Sequence, residues 1–99
     1  MVLLQELGNN LDDRHVLVRI DRDVRFKDEI KEKSKEMHEI VLQAWGNSIN
    51  LAVRLALEAV ASELDGFHVE DVKIGTQEDV ELKNGKIRPL SWIRIALMR

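Results

Sequence analysis

Cysteine and tyrosine are absent from this chain of 99 residues, proline occurs once, and aromatic residues make up only 4% of it. Without cysteine there is no disulfide, no thiolate-ligated zinc and no thiol chemistry. With so few aromatic rings, the core must be packed mainly from Val, Ile, Leu and Ala. Long apolar runs are also missing. The longest uncharged stretch covers residues 40–53 and contains Gln43, Asn47, Ser48 and Asn50, too short and too polar to span a membrane. The opening "MVLLQELGNN" has no basic segment before its short apolar run, so a secretory leader is not expected and a cytosolic location is. Positive charge is in deficit, with 15 Lys and Arg against 18 Asp and Glu, a net charge of −3. That balance argues against tight polyanion binding unless the cations are gathered on one face.

What is present is a single domain's worth of patterned apolar residues. "HVLVRI" (15–20) alternates Val16, Val18 and Ile20, as a half-buried strand does. Residues 21–39 are polar, with Phe26, Ile30 and Met37 near one helical stripe, which predicts a helix with a narrow apolar face. "IVLQAW" (40–45) is apolar apart from Gln43, the pattern of an interior parallel strand covered on both faces. Gly46 then breaks the strand, and Asn47 or Ser48 is placed to cap the next helix. In that helix (49–64), Ile49, Ala52, Val53, Ala56, Leu57, Val60 and Leu64 form one stripe. Leu51 and Leu55 fall on nearly the opposite side, followed by the small Ala59. With Trp45 they predict a second apolar face for packing against another subunit.

Beyond Asp65-Gly66, residues 67–75 read as a strand whose alternation slips between Val69 and Val72, a bulge signal. Asn84-Gly85 marks a hairpin, expected as a type I′ turn, and its charged flanks point it into solvent. Pro89 suits an edge or bulge, and residues 92–98 form a last strand with Ile93, Ile95 and Leu97 inward. The order strand, helix, strand, helix, strand, strand predicts an α+β two-layer sandwich. Two helices would lie on one face of a four-stranded mixed sheet, with a projecting hairpin arm. Residues 1–14 form an N-terminal extension to a domain of 15–99.

No catalytic constellation emerges. His15, His38 and His68 lie at separate element boundaries without metal-ligand spacing, and Ser34, Ser48, Ser62 and Ser91 stand in no nucleophile pattern. The carboxylates of "DRD" and "QEDVE" read as solvated faces. A non-enzymatic protein is expected, with no catalytic residue, cofactor, metal or small-molecule substrate.

At "EIVLQAWGNSINLAV", "VKIGTQ" and "NGKIRPLSWIRIALMR" the chain resembles the Alba family of small archaeal chromatin and RNA-binding proteins, from about Val16 to the end. The resemblance implies the fold just derived. It also implies a dimer, with a hairpin arm from each subunit tracking a minor groove and the dimer body on the phosphates between. Where the family carries basic residues about the junction glycine, this chain has Gln43, Trp45, Asn47 and Leu51. Where the family has paired lysines after the first strand, it has Asp21 and Arg22. If nucleic-acid binding is retained, the resemblance assigns it to Arg22, Arg25, Lys27, Trp45, Asn47, Lys83, Lys86 and Arg88, with Glu78, Asp79 and Glu81 opposing the arm cations. Trp45, Leu51, Leu55 and Ala59 are the candidate subunit interface.

Polyelectrolyte binding comes mainly from phosphate neutralisation, and each lost contact lowers the salt slope by about 0.9 on duplex DNA. The first expectation is therefore a homodimer, or a heterodimer with a more basic paralogue, that binds nucleic acid weakly or not at all and acts through protein–protein contact. The alternative is a working DNA- or RNA-binding chromatin protein. An indole at Trp45 would favour single strands, since stacking on a base contributes about 1–3 kcal/mol.

Overall fold

The computed structural model of the protein describes residues 1–8, 11–20 and 25–99. Five strands and two helices follow the chain as β1 (Val2–Leu3), β2 (His15–Leu17), α1 (Phe26–Ser34), β3 (Glu39–Trp45), α2 (Ile49–Glu58), β4 (His68–Glu81) and β5 (Ile87–Met98). They form one mixed sheet in the order β1-β4-β5-β3-β2. The α+β sandwich expected from the sequence is present, with one more strand, because Val2 and Leu3 pair in parallel with Val80 and Glu81 at the sheet edge. β2 runs parallel to β3, while β5 is antiparallel to both β3 and β4.

Period-two alternation decides what each side of the sheet carries. Ile40, Leu42 and Ala44 of β3 pair with Leu97, Ile95 and Ile93 of β5, and these six are buried beneath the helices. Phe26 and Ile30 of α1 close the core from one side, and Ala52, Leu55 and Ala56 of α2 from above, with Ala59 just beyond. The small ridge of Ala52, Ala56 and Ala59 lets α2 lie close to the sheet. A π-turn over Ala59–Glu63 continues α2, closed by the Leu64 N–H donating to the Ala59 carbonyl at 2.8 Å.

Two expectations about α2 are corrected here. Leu55 and Ala59 are only 7% and 2% exposed, so they belong to the chain's own core and are not an outer face. Leu57, expected inside, is 58% exposed. The reason lies in α1. Glu58 forms an ion pair with Lys27 of α1 at 2.8 Å, so the flank of α2 holding Glu58, Leu51 and Leu55 is turned toward α1. Leu57, on the opposite flank, has no helix beside it.

β4 and β5 extend past the sandwich as the arm, giving the molecule a long axis of 43 Å. The expected slip in β4 is a register shift between Val69 and Asp71, and a second shift between Gln77 and Val80 places Asp79 at φ +53°. The arm tip is not the expected type I′ turn. Gly85 alone takes a positive φ, while the Gly85 N–H donates to the Leu82 carbonyl and Leu82 N–H to Lys86 O. That is a three-residue loop, a type I turn followed by a left-handed glycine. The Asn84 side-chain oxygen accepts from the Lys86 N–H at 3.0 Å.

Candidate functional site

The junction between β3 and α2 is a 3₁₀ turn, Gly46–Ser48, entered through Gly46 at φ +57°. Neither Asn47 nor Ser48 caps α2 through its side chain. Ser48 is buried, and its Oγ accepts from the Ile20 N–H at 3.2 Å, tying the junction to the chain segment after β2. That tie brings β2's exit alongside the turn.

The consequence is a cavity of about 240 Å³ lined by Arg19, Ile20, Trp45, Asn47, Ser48 and Lys83, among others. Arg19 arrives from beyond β2 and Lys83 from the loop at the arm tip, so two cations reach a junction whose own sequence contains none. A second cavity, about 420 Å³, lies between the same turn and the arm, with Trp45, Asn47, Lys83, Asn84 and Leu90 on its walls. Of the residues proposed from sequence, Trp45, Asn47 and Lys83 are thus brought together. Lys86 and Arg88 are exposed where the chain leaves that tip loop and enters β5.

Arg25 and Lys27 are not part of this group. Arg25 is exposed at the start of α1, and Lys27 is held by Glu58, at the opposite end of α2 from Asn47. A helix of ten residues separates those ends by about 15 Å. Arg22 lies outside the described residues.

Gln43 is not a surface position that has simply lost a charge. It is buried on the side of the sheet away from the helices, where its Oε1 accepts from the Arg94 Nε at 2.9 Å. β3 and β5 pair Gln43 directly with Arg94, so a guanidinium stands beside the amide. Sequence reading missed Arg19 and Arg94 because each is placed by strand pairing or a tertiary hydrogen bond, not by neighbours in the chain.

A separate apolar surface runs along β4. Val69, Val72 and Ile74 pair with Leu97, Ile95 and Ile93 and therefore share the helix-bearing face of the sheet. The helices pack on β2, β3 and β5, so these three extend the core rows into solvent, Ile74 being 76% exposed. Leu57 leaves α2 on the flank opposite α1, the side on which β4 continues the sheet past β5. The bulge after Val69 keeps all three on one side, and that slip was the only trace of the surface in the sequence.

The histidines do not converge. His15 meets Asp12 at 2.7 Å and His68 meets Glu70 at 2.7 Å. Among the described residues, no three His, Asp or Glu side chains gather as metal ligands, and no helix is long and apolar enough to cross a membrane.

No family model matches the sequence, and no curated protein matches it either. Solved structures do. Alba from Thermoplasma volcanium superposes with a TM-score of 0.74 at 19% identity, covering 86% of this chain and 99% of that one. ALBA1 from Trypanosoma brucei superposes with a TM-score of 0.69, also at 19% identity, covering 91% of this chain and 72% of that one. The chain has the fold of the Alba proteins.

Proposed function

We propose that this chain forms a dimer that binds single-stranded nucleic acid weakly, through the junction of β3 and α2 and the arm. The observation that carries the reading is the convergence of Arg19, Trp45, Asn47 and Lys83 on one cavity, with Lys86 and Arg88 beyond it. Such a site offers an indole to stack on an unpaired base and a few cations to meet phosphates. The cations are few, and Glu78, Asp79 and Glu81 lie on the same arm. Counterion release by so small a set gives low affinity and a shallow salt dependence, about 0.7 in slope per contact on a single strand. The resemblance to the Alba family supports both the dimer and the ligand class.

The dimer is assigned to Leu57, Val69, Val72 and Ile74, which continue the core outward and leave solvent only when a second subunit covers them. The partner in that face is a second copy or a more basic chain of the same fold. The acidic residues of the arm favour the second, since they leave this subunit short of charge.

Fluorescence anisotropy with labelled oligo(U) and a duplex DNA of equal length, at low and moderate salt, tests the reading. Oligo(U) is expected to bind more tightly than the duplex, with a Kd weaker than about 10⁻⁶ M at physiological salt. Absence of binding to either at low salt overturns it, as does a preference for the duplex.

A further inference from the structure

We infer that residues 1–8 are a displaceable strap over a second surface for unpaired bases, made by Trp92, Arg94 and Gln43 beside Trp45 on the sheet face away from the helices. This rests on the proposed binding of single strands and assigns it both an additional contact and a means of regulation.

The strap crosses the sheet from edge to edge. β1 holds one end on β4, through the pairs Val2 with Val80 and Leu3 with Glu81. A 3₁₀ turn at Leu4–Glu6 follows, Leu7 is buried to 8% exposure, and Gly8 lies so near Leu17 of β2 that a Cβ there would come within 2.8 Å of Leu17 Cδ1. Between those ends, Leu7 and Gly8 form one wall of a cavity of about 380 Å³. Its other walls include Gln43, Trp45, Gln77, Trp92 and Arg94.

The surface beneath suits stacking. Trp45 and Trp92 are directly paired between β3 and β5, and the Trp92 indole rests on Gly75 of β4. The Arg94 guanidinium sits 5.9 Å from the Trp92 ring centroid and is aligned by Gln43. Two indoles, a guanidinium and an amide on one sheet face present π-surfaces that any base can use, and hydrogen-bonding groups for its edge.

The strap covers this surface imperfectly. Cavities flank it on the Trp45 side as well, and Trp45 Nε1 is buried with no hydrogen-bond partner among the described residues. Leu4 and Leu7 of the strap line the cavity beside Trp45, and a buried indole N–H left without an acceptor costs free energy. Among the described residues the strap is held by two strand pairs, the buried Leu7, the half-buried Leu3 and Leu4 and the seat of Gly8 on Leu17. None of these lies in the helix-side core, so opening is a local event that leaves that core intact. Single strands bind the open form, and the closed population reduces apparent affinity in proportion.

The absence of cysteine allows a clean test in the full chain. Leu3 and Glu81 are register partners on adjacent parallel strands, within reach of a disulfide. In the double variant Leu3→Cys with Glu81→Cys, oxidation locks the strap and reduction frees it in the same molecule. Acrylamide quenching of tryptophan fluorescence is expected to be stronger in the reduced form, and oligo(U) to bind it about tenfold more tightly than the oxidised form. Trp92→Ala in the reduced chain is expected to bring the affinity back toward the oxidised value, and Leu7→Ser to raise both quenching and affinity without any disulfide. A chain that binds oligo(U) equally in both redox states overturns the strap while leaving the proposed function standing. Binding by neither form, with quenching still redox-dependent, overturns the proposed function and the ligand assigned to this surface.

Discussion

Trp92 and Gly75 are paired across β5 and β4, and the indole lies so close to the glycine that a Cβ there would come within 2.5 Å of Cζ2. The position is therefore one where only glycine leaves room for the ring. Gly75→Ala must push Trp92 off the sheet, and overpacking of this kind costs about 1–3 kcal/mol. Urea unfolding followed by tryptophan fluorescence is expected to show that loss together with a changed native emission. An unchanged midpoint would mean the ring has a second resting place.

Leu55 and Leu57, two residues apart on α2, are expected to behave in opposite ways. Leu55→Ala removes a core side chain and should destabilise by about 2–5 kcal/mol without changing the native mass. Leu57→Lys should leave each subunit folded but shift the proposed dimer toward monomer, as should Ile74→Lys. Sedimentation equilibrium together with thermal unfolding separates the two effects. A mass insensitive to both lysine variants would remove the β4 face as the interface.

Near the N-terminus, the side-chain hydrogen bonds from Arg14 and then His15 hold the Asp12 carboxyl well below the usual carboxylate range. Arg14 is correspondingly raised, and it also pairs with Glu39. Because the folded-state value of Asp12 is the lower one, its contribution is complete above the unfolded value of about 3.9 and disappears as pH falls through the folded value. The group is exposed, so salt screens the effect. Asp12→Asn should lower the urea midpoint modestly at pH 7 in low salt, with the gap from the unmodified chain closing in acid. A gap that persists in strong acid would point to a different cause.

On the arm, Lys86→Ala and Arg88→Ala should each reduce the slope of log K against log salt for oligo(U) by about 0.7 while changing affinity alike for different sequences. Trp45→Ala should lower affinity with little change of slope, because stacking releases no counterion. If Trp45→Ala alters the slope as strongly as the arm variants, the indole acts by holding Lys83 or Arg19 in place and not by stacking.

Short-range pattern in the sequence determined the element order from His15 onward and the inner face of the sheet, but not the edge strand Val2–Leu3. The apolar run "IVLQAW", alternation in "WIRIALM", the slip after Val69 and the hairpin signal at Asn84-Gly85 are all short-range signals. Each marks a feature of the fold, although the turn type at Asn84-Gly85 differs from the one expected. The periodic stripe on α2 located its helix, but a stripe cannot say which flank has a neighbour. Only the packing of α1, marked by Lys27 on Glu58, turned Leu55 inward and left Leu57 outside. The same limit applies to charge. Residues 40–53 contain no cation, yet Arg19 and Lys83 reach the junction cavity and Arg94 stands beside Gln43, because the fold joins residues far apart in the chain, Gln43 and Arg94 being 51 positions apart. Local pattern fixes which way a side chain leaves its own element. What that side chain meets is decided by the elements folded against it.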